Sequence, residues 1–133
     1  MKDLAIYYRC AQFYAHNAHN QVSGDEFFQD HEYLGELYGE YESAYDTLIE
    51  RMIGLGESPD LLGITVLAAN STKAKGDPVD CSACFTMLVE IERDICDIIK
   101  GLVPKATDGT QNLLQGLADD SEKRQYKLGQ RIK

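Results

Sequence analysis

The stretch His19-Asn20-Gln21-Val22-Ser23-Gly24-Asp25-Glu26-Phe27-Phe28-Gln29-Asp30-His31-Glu32, continued downstream by Asp46-Thr47-Leu48-Ile49-Glu50-Arg51, decides the fold. Its turn, Ser23-Gly24-Asp25, separates two helix-patterned segments and sits midway between the two histidines. A helical hairpin therefore brings both imidazoles to similar height. The second segment runs from Asp25 to about Ile53, with Asp46 and Glu50 at i and i+4, so both carboxylates project from one helix face. His31 precedes Asp46 by fifteen residues, which at about 1.5 Å per residue is roughly 22 Å. One metal ion cannot reach both within one subunit. If the four groups act together, two copies of the helix must run antiparallel across a two-fold axis. Pairing His31 with Glu50 puts that axis between Glu40 and Tyr41, with Gly35 and Gly39 on the same face. Each glycine costs about 1 kcal/mol of helix propensity relative to alanine, and two on one stripe point to a close interface.

Working outward, the pattern is helical throughout. Leu4, Tyr7, Tyr8, Ala11, Tyr14, Ala15, Ala18 and Val22 form the first apolar face. Ser23 and Glu26 have capping-box spacing for the second helix. Phe27, Leu34, Leu37, Tyr38, Tyr41, Tyr45, Leu48, Ile49 and Met52 carry its buried face to a stop at Gly54 and Gly56. Ser58-Pro59 predicts a short helix with proline in its first turn, ending before Lys73. Asp77-Pro78 opens a third long helix, buried through Leu88, Ile91, Ile95, Ile98, Ile99 and Leu102 and closed by Gly101 and Pro104. Thr107-Asp108 caps a fourth, with Leu113, Leu114, Leu117, Ser121, Leu128 and Ile132 in phase. No strand pattern competes. The expectation is an all-α, ferritin-like four-helix bundle with a short helix in the long crossover between helices 2 and 3. Residues 1–133 are read as a single domain, with no repeat or linker.

Composition narrows the function. The chain has 133 residues, 22 Asp and Glu against 13 Lys and Arg, and a formal net charge of −9. That balance disfavours nucleic acid, whose affinity comes mostly from cationic contacts to phosphate, and favours cations. Lys123, Arg124, Lys127, Arg131 and Lys133 cluster near the end, the ordinary pattern of a helix C-terminus. No apolar run approaches a transmembrane length, and Met1-Lys2-Asp3 leads straight into an amphipathic pattern without a secretory signal. A cytoplasmic, reducing location is the expectation. Of the four cysteines, Cys10, Cys81, Cys84 and Cys96, only Cys81 and Cys84 form a CxxC. No second pair completes a zinc site and no βαβ pattern makes it thioredoxin-like, so helix packing is its expected role.

The histidine block, the Asp46–Arg51 block with Gly54-Leu55-Gly56, and the last helix (Thr110, Leu114, Asp120, Glu122, Lys123, Tyr126, Leu128) together resemble Dps-type miniferritins, the DNA-protection-during-starvation proteins. The likeness covers nearly the whole chain. It implies a hollow dodecamer built from antiparallel dimers and an intersubunit ferroxidase site where hydrogen peroxide or oxygen oxidises iron(II). Ferric mineral is then stored inside, protecting against peroxide and iron toxicity. By motif match, His19 and His31 are ligands and catalytic residues from one subunit, and Asp46 and Glu50 from its two-fold mate. Glu32, Glu36 and Glu40, a stripe at i, i+4 and i+8, would face inward and nucleate mineral; on its own, the stripe also reads as an exposed acidic face. Imidazole and carboxylate form a suitable donor set for iron(II).

Two positions depart from the family. Gly35 stands where an aspartate ligand is usual, and the adjacent Glu36 points about 100° away on the helix. Asn20 stands where the family has tryptophan, so no radical-quenching role carries over. Basic terminal extensions, through which relatives bind DNA, are missing as well. The alternative reading is a noncatalytic helical assembly, or a DNA-associated structural protein, with a degraded metal site.

Overall fold

The computed structural model describes residues 1–78 and 80–133, the side chain of Cys81 excepted. The described residues form five α-helices: α1 (Lys2–Gln21), α2 (Phe27–Gly54), α3 (Leu61–Lys75), α4 (Cys81–Leu102) and α5 (Asp108–Arg131). A 3-10 turn, Val103–Lys105, links the last two. No strand occurs among the described residues. Helices α1, α2, α4 and α5 make the bundle, and α3 lies in the crossover, packed on α1. The expected all-α architecture and crossover are present.

Several expected boundaries move, for local reasons. Helix α2 begins at Phe27 and not at Asp25: Gly24 takes φ 91°, and the N-cap position is Glu26, which makes no side-chain cap. Asp60, not Ser58-Pro59, caps α3 by accepting from the Gly63 N–H. The crossover helix runs for 15 residues to Lys75, past the expected end, and stops at Gly76 with φ 82°. Likewise Asp80, not Asp77-Pro78, caps α4 by accepting from Ala83 at 2.7 Å. In both cases an aspartate just after the proline satisfies an otherwise orphaned amide, which proline cannot do. Thr107 caps α5 as expected, accepting from the Thr110 N–H.

The core is built from the in-phase residues. Leu4, Tyr8, Leu34, Tyr41, Leu88, Ile91, Ile95 and Leu114 are fully buried, each aliphatic side chain stabilising the fold by about 1.5–3 kcal/mol. Helix α1 packs on α2 and α4, and α4 on α5. The α2–α5 face is more open, and arginines span it. Arg131 grips buried Asp30 at 2.9 and 2.8 Å, Arg51 donates to Thr110, and Arg124 reaches from α5 toward α2.

Candidate functional site

His19 sits in the last turn of α1 and His31 in the second turn of α2. The short connection folds the helices against each other, as the turn predicts. The two rings stack at 3.7 Å between centroids, 21° from parallel. Each is also tied to the other's backbone: His19 Nδ1 donates to the His31 carbonyl at 2.7 Å, and His31 Nδ1 donates to the His19 carbonyl at 2.9 Å. A carbonyl only accepts, so both Nδ1 atoms carry hydrogen. In neutral imidazole that leaves each Nε2 with a free lone pair. Metal-binding histidines characteristically have their second nitrogen fixed in this way.

An aromatic column continues on both sides. Phe27 stacks on His31 at 4.9 Å, and Tyr38 meets His19 edge-on at 5.4 Å. His16, one helical turn before His19, stacks on Tyr38 at 4.1 Å. Sequence reading passed over His16 and took Tyr38 only as part of the apolar face of α2, although the i, i+3 spacing of His16 and His19 was available.

Gly35 has an explanation inside the subunit. A Cβ at this position would lie 3.2 Å from His19 Cε1 and 3.3 Å from its Nδ1. The bare backbone of α2 lets the imidazole close over it, and the glycine therefore belongs to the α1–α2 contact. Gly39 meets nothing within 4 Å, so only that glycine still points to an interface with a second chain.

Asp46 and Glu50 are exposed farther along α2, with no ion-pair partner among the described residues. Glu50 edges a groove shared with Thr47, Arg51, Gly54 and Leu113. The structure thus brings the histidines together and leaves the carboxylates apart from them. Among the described residues of one chain, no three His, Cys, Asp or Glu side chains converge as a metal requires. Glu32, Glu36 and Glu40 are all exposed, and Glu40 touches Arg124 at 3.5 Å.

The bundle centre offers no competing site. Carboxylate metal centres of this architecture can be built there from facing helices. Here the deeply buried Glu92 accepts from Arg124 Nε and the Tyr41 hydroxyl, each at 2.5 Å, and from Ser121 at 2.6 Å. Burial alone would lower the Arg124 pKa, but the hydrogen bond and charge of Glu92 outweigh it and raise it. A guanidinium already occupies the place a metal would take. This network escaped the sequence reading, which assigned Arg124 to the cationic cluster of a helix C-terminus. Arg131 also leaves that cluster, to pair with Asp30. Of the CxxC, Cys84 is a core residue; Cys81's side chain lies outside the described residues.

Comparison with known proteins agrees with this geometry. The Ferritin family, a ferritin-like domain, matches residues 3–133. A DNA protection during starvation protein of Brevibacillus brevis is 34% identical over 85 residues, a match spanning 63% of this chain and 54% of that protein. The chain therefore matches about half the length of that relative. The crystal structure of a Dps protein from Vibrio cholerae O1, described as one of a broad superfamily of ferritin-like diiron-carboxylate proteins, superposes with a TM-score of 0.69. That match covers 99% of this chain and 86% of the other at 23% identity, a likeness of fold. The chain belongs to the ferritin-like family, and the Dps-type miniferritins are the members it resembles in both sequence and fold.

Proposed function

We propose that this chain is an iron(II)-oxidising, iron-storing protein whose oxidation site forms only between two subunits. The observation that carries the reading is the reciprocal histidine pair, whose Nδ1 atoms are committed to backbone carbonyls and whose Nε2 atoms are left to bind. Asp46 and Glu50 of a two-fold mate supply the carboxylates, as the antiparallel spacing requires. Iron(II) is the substrate: two ions each give one electron to a hydrogen peroxide molecule, which takes up two protons and leaves as two waters. Oxygen is the other oxidant to test. The imidazoles hold iron(II) without adding charge, and the carboxylates favour the more highly charged product. The cage is a dodecamer storing ferric mineral, with Glu32, Glu36 and Glu40 as the place where it starts to form. The whole chain acts as one domain, in the cytoplasm, and direct DNA binding is not part of its action.

The test mixes subunits. His31→Ala and Glu50→Ala chains are each expected to lose most of the peroxide-driven oxidation of anaerobically loaded iron(II). In a verified heterodimer, one site keeps every ligand and the other loses two, so part of the rate returns. No recovery would sink cross-subunit ligation, and a parent rate equal to the protein-free control would favour a noncatalytic assembly.

A further inference from the structure

The open α2–α5 face holds a groove of about 420 Å³ that shares only Glu40 with the residues of the iron reading. Its floor is Arg124, 7% exposed, and its rim carries Lys123 and Lys127 from α5. Ser43 and Thr47 stand on the α2 wall. Arg124 is held from behind, with Nε and Nη2 directed to Glu92. Its remaining nitrogen, Nη1, carries two N–H groups and makes a long contact, 3.5 Å, with a half-exposed Glu40, while the Tyr8 hydroxyl also interacts with the guanidinium. A guanidinium fixed along one edge and underused along the other is pre-organised to receive an oxyanion. Lys127 has no ion-pair partner among the described residues, and Lys123 has only the exposed Asp119. Such an exposed pair is weak and easily redirected.

We propose that this groove binds a tetrahedral phosphate dianion, with Arg124 at its base and Lys123 and Lys127 closing over it. The dianion displaces Glu40 from Nη1, and the Ser43 hydroxyl is placed to donate from the opposite wall. Thr47 has already committed its hydroxyl hydrogen to the Ser43 carbonyl. Asp120 also lines the groove and opposes an anion. That opposition makes the proposal testable by sign, because a cation site would use Asp120 and Glu40 and reject the lysines.

The experiment titrates inorganic phosphate, and separately glycerol 3-phosphate, into the assembled, iron-free protein by calorimetry. No iron is present, so the outcome is independent of the ferroxidase reading. Saturable binding of either ligand is expected, and the tighter of the two identifies the free or esterified source. Lys127→Gln should weaken binding about tenfold, the size of one charge-assisted contact, while Asp120→Asn should strengthen it. Both residues are exposed, so the fold is retained. Absence of saturable binding, indifference to Lys127→Gln, or weakening by Asp120→Asn would each overturn the proposal.

Discussion

His19 and Gly35 show how one missing side chain can serve a site. The imidazole lies against the α2 backbone because Gly35 has no Cβ, which would fall only 3.2 Å from the ring. Its Nδ1 then reaches the His31 carbonyl. Placing an aspartate at this position would not simply add a ligand, since its Cβ must first push the ring aside. Gly35→Asp is expected to bind cobalt(II), a spectroscopic stand-in for iron(II), more weakly than the parent. Tighter binding would show that His19 can move at little cost and that Gly35 is a lost ligand.

At the scale of elements, the Glu92 network joins α2, α4 and α5 at the bundle centre. Breaking a buried pair by removing one partner strands a charge, which costs about 3–5 kcal/mol. Arg124→Met should lower the urea-unfolding free energy by that amount. Glu92→Leu combined with Arg124→Met should recover much of it. The remainder reflects the hydroxyls of Tyr41 and Ser121, each of which loses an acceptor at about 1–3 kcal/mol. A double variant no better than Arg124→Met would refute this account.

Buried tyrosines add a pH limit. Burial, helped by nearby acidic groups, pushes the Tyr14 and Tyr33 hydroxyls up from 10.0 to about 12, and Tyr8 and Tyr41 also shift upward. A folded-state pKa above the unfolded value means that the neutral form is favoured by folding. That stabilisation is complete below pH 10 and disappears as pH rises through about 12. Tyrosinate absorbance should therefore lag behind that of free tyrosine, then rise together with loss of helical circular dichroism. A normal titration with the helices intact would contradict the burial.

Across the whole molecule, the exposed large apolar side chains among the described residues fall, apart from Phe28 and Tyr126, between residues 53 and 67. Leu62 is 80% exposed and Val66 58% exposed on α3, near the sequence positions of exposed Leu55 and Ile53. A second copy covering α3 is the occupant consistent with the proposed intersubunit site, and Leu62→Asp should shift the proposed oligomer toward smaller species in light scattering. An unchanged mass would place the interface elsewhere. Assembly also multiplies the net charge of −9, and two of the C-terminal cations are already neutralised by Glu92 and Asp30. A gel shift at physiological salt should show no DNA complex, whereas iron plus peroxide should cleave less DNA when the protein is present. Tight DNA binding without iron oxidation would reverse the functional ranking.

By itself, the sequence determined the helices, their order, the long crossover and the separation of the histidines from Asp46 and Glu50. These follow from 3.6-residue periodicity and a fixed rise per residue, which are local properties of the chain. It also contained the histidine hairpin, because a short turn leaves the flanking helices little choice. The caps of α3 and α4 are local choices too, Asp60 and Asp80 accepting from amides that the nearby prolines cannot satisfy, and tertiary structure decided the rest. It alone decided that Gly35 faces His19, that Arg124 points inward to Glu92, and that Arg131 crosses to Asp30. A charge at helical spacing looks the same in sequence whether it meets water or a buried carboxylate. Which it meets depends on the rotation and separation of helices far apart in the chain, and no local pattern encodes that.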